Sequence, residues 1–210
     1  MSVFRTLLIN NAQQGGLPAG YTQVSYIQNT AQTSTSTCFN TGIITDVDDF
    51  EMEIKLIPTT GPWQMLCLEY SDGGTKYTGI RGDSSYSRTY GCVNGVNIGW
   101  NSGRFSGKTY LMTLTYKNGN ASFVSQNLTD GTEQSGTATY TYKAVNQELL
   151  LFRAVYANNK VYSVRIKKGG ALVADYVPVL DSNNIAGFYD MASKSFKTAQ
   201  DTSIYTGVTE

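Results

Sequence analysis

Histidine does not occur in this 210-residue chain, and charged side chains make up only 15% of it, 16 basic and 16 acidic. The missing imidazole excludes Ser-His-Asp and Cys-His nucleophiles, His-ligated zinc and imidazole proton shuttles. Zero net charge without a Lys/Arg block argues against nucleic acid, whose phosphates need clustered cations. The densest basic run, Arg165, Lys167 and Lys168, reads as one solvated strand face. No apolar run approaches the ~20 residues of a membrane helix, so no membrane partner is expected. Cysteine is scarce: Cys38, Cys67 and Cys92 are odd in number and form no CxxC pair. They read as free, buried thiols of a protein made in a reducing cytosol. The apolar run Leu7-Leu8-Ile9 is short and runs into Asn10-Asn11, which is not the pattern of a signal peptide. Synthesis in the cytoplasm without export is therefore expected.

What the chain does contain is hydroxyl and amide. Thr (25), Ser (18) and Asn (15) make up 58 of the 210 residues. Most segments alternate with period two, the mark of a strand with one buried face. Residues 110–116 place Tyr110, Met112, Leu114 and Tyr116 on one side. Asn118-Gly119 then interrupts before residues 121–125 resume, a strong hairpin signal because both residues tolerate the positive φ of a type I′ turn. Asn94-Gly95 predicts a second such turn, and Asp72-Gly73-Gly74 and Asp130-Gly131 are further punctuation. Residues 160–167 put Tyr162, Val164 and Ile166 on one face, Lys168-Gly169-Gly170 turns the chain, and residues 171–180 run back. Two short strands around 185–189 and 195–198 would follow, and an edge strand through Ser203-Ile204-Tyr205 could close the chain. No window sustains helical spacing, and only 4 prolines interrupt the strands. The reading is all-β: an antiparallel jelly-roll sandwich with a short N-terminal arm.

The expected organisation is an arm and linker over residues 1–16 and a sandwich over 17–210. Phe4, Leu7, Leu8 and Ile9 are the candidate anchor on a partner, and residues 10–16, rich in Asn, Gln and Gly, are a flexible tether.

Two stretches carry a resemblance. Residues 17–30, LPAGYTQVSYIQNT, with Phe39-Asn40-Thr41-Gly42-Ile43, form the first. Residues 161–166 and 170–181, the latter GALVADYVPVLD, with Ala186-Gly187-Phe188-Tyr189-Asp190 and Ser195-Phe196, form the second. They resemble the ends of concanavalin A-like (laminin-G-like) jelly-roll domains of tailed bacteriophages and gut bacteria. The likeness spans about residues 17–198 by its two ends, while 45–155 match in strand rhythm alone. Residues 31–37, AQTSTST, depart from the family pattern and leave the first hairpin polar. The resemblance implies that the first and last strands pair. It also places Tyr176, Val177, Pro178 and Leu180 in the core, with Pro178 at a bend or bulge.

Several constellations bear on chemistry. Glycanases of this fold use paired carboxylates on one strand. Glu51 and Glu53 would share a strand face, but Lys55, Leu56 and Ile57 follow instead of a third acid. An exposed face paired with Lys55 is the preferred reading, and no catalytic residue is assigned. Asp46, Asp48 and Asp49, and the group Asp181, Asn183 and Asn184, carry oxygens suited to Ca²⁺, yet each is ordinary turn composition; no cofactor or metal is expected. Flat aromatic faces edged by Asn and Arg suit sugars, which nominates Trp100, Asn101, Arg104, Tyr86, Arg88 and Tyr90, in loop-like settings, for glycan contact. Trp63 reads as buried. The string Arg81-Gly82-Asp83 is explained by a Gly-Asp turn. The resulting expectation is a non-enzymatic virion accessory protein of a tailed phage. It would be a head decoration, head fibre or tail adsorption component, multi-copy on the particle. Its arm would tie it to other virion proteins, and its sandwich would contact host or mucosal glycans weakly. The alternative is a bacterial glycan-binding module unrelated to virions.

Overall fold

Two-residue turns with both φ angles positive set the strand registers. Asn118 and Gly119 sit at φ 50° and 74°, and Asn94 and Gly95 at φ 49° and 82°. These are the type I′ values that match the twist of the flanking strands. Gly169 and Gly170, at φ 59° and 78°, make a third such turn. The computed structural model describes residues 16–34, 36–58, 62–82, 88–102, 107–155 and 157–210, with backbone alone at 62–64, 71, 100–102 and 154.

Among the described residues there are seventeen strands and no helix. The first half holds β1 (Thr22–Gln23), β2 (Tyr26–Asn29), β3 (Phe39–Thr45), β4 (Asp49–Ile57), β5 (Pro62–Ser71) and β6 (Thr75–Gly82). The middle holds β7 (Arg88–Val93), β8 (Val96–Ser102), β9 (Tyr110–Lys117), β10 (Asn120–Asn127), β11 (Glu133–Thr139) and β12 (Val145–Val155). The last third holds β13 (Lys160–Lys168), β14 (Ala171–Leu180), β15 (Ala186–Asp190), β16 (Ser195–Lys197) and β17 (Tyr205–Val208).

They form two antiparallel sheets packed as a sandwich. The eleven-stranded sheet runs β11-β10-β9-β4-β13-β14-β15-β16, with β1 added to β14 and β2 joining β13 to β17. The six-stranded sheet runs β3-β12-β5-β6-β7-β8. The core lies between them. From the larger sheet come Phe50, Met52, Ile54 and Leu56 of β4 and Met112, Leu114 and Tyr116 of β9; Leu66, Leu68, Ile80, Ile98, Leu149 and Leu151 answer from the smaller. Each such side chain contributes roughly 1.5–3 kcal/mol on burial.

The two family-like ends meet as expected. Thr22 and Gln23 pair with Leu180 and Val179, and Tyr26–Asn29 pairs with Tyr205–Val208. The last strand begins at Tyr205, because Asp201 accepts the amide and hydroxyl of Ser203 in a turn. Three other expectations are corrected. Tyr162 faces outward, because a register shift between Val161 and Ser163 against β4 flips the phase and buries Val161 instead. Tyr176 lies in the core, Pro178 is buried and Leu180 packs against the core from a half-buried position, but Val177, in the opposite phase of the strand, is half-buried outside it. Pro178 sits in unbroken register opposite Phe188, not at a bulge; its carbonyl accepts the Val24 amide at 3.1 Å.

Candidate functional site

On the six-stranded sheet, the face turned away from the core carries side chains that solvation alone does not explain. Gly91 points inward, since a Cβ there would meet the side chains of Leu114 and Phe123. Its neighbours Tyr90 and Cys92 therefore point outward, with Arg88 in the same phase. Across the strands, Cα partners run Arg153 to Gln64, Gln64 to Arg81 and Arg81 to Tyr90. Leu150, Cys67, Gly79 and Cys92 form the next row, and Glu69 and Tyr77 the one beyond.

Arg81 is the centre of this face. It is 7% exposed, and its guanidinium carbon lies 3.6 Å from the centroid of the Tyr77 ring and 5.6 Å from that of Tyr90. At that distance the guanidinium is in cation–π contact with the Tyr77 ring. Arg153 Nη1 lies 3.1 Å from Glu69 Oε2. Burial pushes the Cys92 thiol up to about 11, opposed chiefly by Arg81, and raises Cys67 further still. Burial also raises Tyr77, with Glu69 adding and Arg81 opposing. Of the string Arg81-Gly82-Asp83, Arg81 is a buried strand residue, Gly82 is the last residue of β6, and Asp83, with the expected Gly-Asp turn, lies outside the described residues.

The residues nominated for glycan contact divide. Arg88 and Tyr90 lie on β7, exposed and half-buried respectively. Trp100 and Asn101 are placed by backbone in β8, where Asn101 is registered against Thr89 and Ser102 against Arg88. The setting is an edge strand and not the loop expected. The shift between Thr89 and Gly91 gives β8 one extra residue, a bulge around Gly99 and Trp100. Tyr86 and Arg104 lie outside the described residues, as do the anchoring candidates Phe4, Leu7, Leu8 and Ile9.

The acids fall elsewhere. Glu51 and Glu53 do share the outer face of β4, registered against Lys167 and Arg165. Glu51 accepts a bond from Lys167 at 2.8 Å, while Lys55 sits 5.2 Å from the centroid of the Tyr162 ring, so the expected pairing with Lys55 is replaced. Partial burial raises the Glu53 carboxyl, with Arg165 opposing and Glu51 adding. In the Asp46, Asp48 and Asp49 group each carboxylate has its own partner. Asp46 holds Lys168, Asp48 takes the Tyr140 hydroxyl and the Gly119 amide, and Asp49 holds Lys117 at 2.6 Å. Asp181 Oδ1 accepts the amides of Asn183 and Ile185, an Asx turn. Among the described residues no three His, Cys, Asp or Glu side chains group as metal ligands.

No family model matches the chain, and no curated protein does. Solved structures do. Full-length tailspike protein 2 from Escherichia coli O157:H7 bacteriophage CAB120 is 12% identical at a TM-score of 0.45, over 73% of this chain and 26% of that one. The enzymatically active domain of tailspike protein 2 from bacteriophage CBA120 is 14% identical at a TM-score of 0.35, over 82% of this chain and 31% of that one. The chain thus spans between a quarter and a third of the proteins it is matched to. That second match corrects the expectation of a protein without catalysis, since it is an enzymatically active domain. The chemical reason is plain: lacking histidine excludes imidazole chemistry and leaves carboxylate chemistry untouched.

Proposed function

We propose that the chain is an accessory component of a tailed-phage particle, on the head or tail surface, whose sandwich meets glycans while residues 1–16 hold it to other virion proteins. The observation that carries this reading is the pairing of β1 with β14 and of β2 with β13. It joins in space the two stretches that resemble phage-borne concanavalin A-like domains. Gly16 also lies against the closing hairpin, where a Cβ would come within 3.1 Å of Met191 Cε.

The test is particle association. Deleting residues 1–16 is expected to abolish incorporation while circular dichroism and the melting transition stay those of the full chain. Unchanged incorporation overturns the anchoring role. Labelled antibody on intact particles distinguishes head from tail, and absence from particles favours the bacterial glycan-binding module.

A second reading has its own observation. Glu53, half-buried with a raised carboxyl, stands two strand positions from Glu51. An acid whose carboxyl burial raises, standing beside another carboxylate, is an arrangement glycoside hydrolysis uses.

A further inference from the structure

We infer that the outer face of the larger sheet takes a neutral sugar unit, stacked on Tyr162 and read by Glu53 and Lys55. This deepens the glycan reading above, rests on it, and names both the surface and the class of sugar.

Two charges on this face stand apart from the rest. Of the charged side chains on β4, β13 and β14, Asp49 is paired with Lys117 at 2.6 Å, Glu51 with Lys167 at 2.8 Å and Asp175 with Arg165 at 3.1 Å. Lys160 meets Glu210 at 3.5 Å, and Lys168 meets Asp46. Glu53 and Lys55 remain, and among the described residues neither makes an ion pair or a hydrogen bond. Alternate positions of one strand share a face. A half-buried carboxylate, which only accepts, therefore stands beside an ammonium, which only donates.

Tyr162 supplies the apolar part. The register shift between Val161 and Ser163 turns its ring outward beside Lys55, whose Nζ lies 5.2 Å from the ring centroid. A bulge re-aims a side chain in this way, and bulges gather beside functional sites. Tyr26, 5% exposed, backs the ring at 5.3 Å between centroids, so the platform is fixed before a ligand arrives. On the other side of Glu53, its Cα partner Thr113 of β9 adds a hydroxyl.

These groups select the ligand. The ring offers its face to the C–H side of a pyranose, the carboxylate accepts from sugar hydroxyls and the ammonium donates to one. In moving to the edge of the sugar, Lys55 gives up an exposed cation–π contact, which is a weak one. One carboxylate and one ammonium sum to zero charge. A uronate would set its charge against Glu53, and an amino sugar would set its charge against Lys55. A neutral, hydroxyl-rich sugar suits both.

The experiment measures binding of the full chain to a printed array of hexose oligosaccharides, each backbone present in neutral, uronate and free-amine forms. Neutral forms are expected to bind most tightly, with little change between about 50 and about 300 mM salt. Tyr162→Ala is expected to weaken them roughly tenfold, the loss of about one aromatic contact. Tyr162→Phe keeps the ring and is expected to bind as the parent does. Lys55→Gln is expected to weaken them several-fold at an unchanged melting temperature. Preference for a charged form overturns the class of sugar, and neutral binding that survives both Tyr162→Ala and Lys55→Gln overturns the surface. Either result leaves the glycan reading standing. Binding of no form on the array overturns this inference and the glycan reading together.

Discussion

The backbones of Gly99 and Gly136 touch across the sandwich. A Cβ on Gly136 would lie 2.4 Å from the Gly99 Cα and 2.7 Å from its nitrogen. Gly99 is at the bulge of β8, with φ +53°, and Gly136 lies in β11. Those two strands are the free edges of their respective sheets. Their contact covers edges that would otherwise offer unpaired backbone groups to another chain. On the opposite side Phe39 of β3 bridges Ala199, so the sandwich is fastened along both flanks.

Gly136→Ala is therefore expected to destabilise the fold by about 1–3 kcal/mol, the usual cost of forcing volume into a packed contact. The measurement is the urea midpoint, with aggregation followed by light scattering once the edges part. A wild-type midpoint would show that the two edges do not bear on each other.

Asp190 anchors the closing hairpin, and its removal should be felt at a distance. Its side chain is 2% exposed; Oδ1 accepts the amides of Asp175 at 2.9 Å and Ala192 at 3.0 Å, and Oδ2 the Ser193 hydroxyl at 2.6 Å. Asp190→Ala leaves those donors unmet and is expected to cost about 1.5–3 kcal/mol. Hydrogen exchange should show the Asp175 and Ala192 amides losing protection together, with the β9–β10 hairpin unaffected. Uniform loss across the chain would contradict a local anchoring role.

How much of this was legible in the chain depends on how each strand is buried. β4 and β9 have one wet face, so their alternation reads directly as fold. β5 is buried on both sides, with Met65, Leu66, Cys67 and Leu68 all inaccessible, and such a run does not announce which residues face outward. The bulge at Tyr162 is a single inserted residue that the period-two pattern cannot register. Arg88, Tyr90, Trp100 and Asn101 were within reach because they lie on neighbouring strands of one hairpin. Arg81 was not, since its row is assembled from Arg153, Gln64 and Tyr90 on three other strands. The alternation of Tyr77, Gly79 and Arg81 was the one available signal, and the Arg-Gly-Asp string obscured it.

The thiols give a test of the described interior. Cys38, Cys67 and Cys92 are 2%, 0% and 1% exposed, and burial raises all three thiols, Cys92 to about 11. A thiol that is both inaccessible and protonated is a poor nucleophile. An aromatic disulfide reagent at pH 8 is expected to find no fast-reacting thiol in the native protein and all three in denaturant. A rapidly titrating thiol under native conditions would place one of them at the surface.

Acid should weaken the fold through its turn aspartates. Asp130 is held down at about 2 by the Thr132 hydroxyl and amide and by Lys108. Asp46, Asp72 and Asp201 are lowered as well, by Lys168, Lys143 and Ser203 in turn. An unfolded aspartate titrates near 3.9, so between that value and about 2 the unfolded chain binds more protons than the folded one. The stabilisation is present above pH ~4 and is lost as the pH falls toward 2. Urea midpoints at pH 5 and pH 2.5 should show the fall, and Asp130→Asn should reduce the difference between them. A midpoint that rises toward pH 2.5 would contradict the sign.

Hydrolysis at the acidic pair is decided by one assay. The larger sheet holds Glu53 partly out of water, and its neighbours Arg165 and Glu51 pull its carboxyl in opposite directions, with burial dominant. Glu51 is kept in place by Lys167. A carboxyl that retains its proton can deliver it to a glycosidic oxygen while its partner attacks or stabilises the opposite face, provided the two stand about 5–5.5 Å apart for a retaining reaction. The second reading therefore expects reducing ends to be released from acidic and neutral oligosaccharides. Release should fall by about 10²–10⁴-fold in Glu53→Gln and by a comparable factor in Glu51→Gln. Both substitutions conserve shape on a solvated strand face, so the melting temperature should stay near that of the parent. Release that survives both substitutions moves catalysis away from β4, and no release by the parent chain leaves the glycan contact as binding alone.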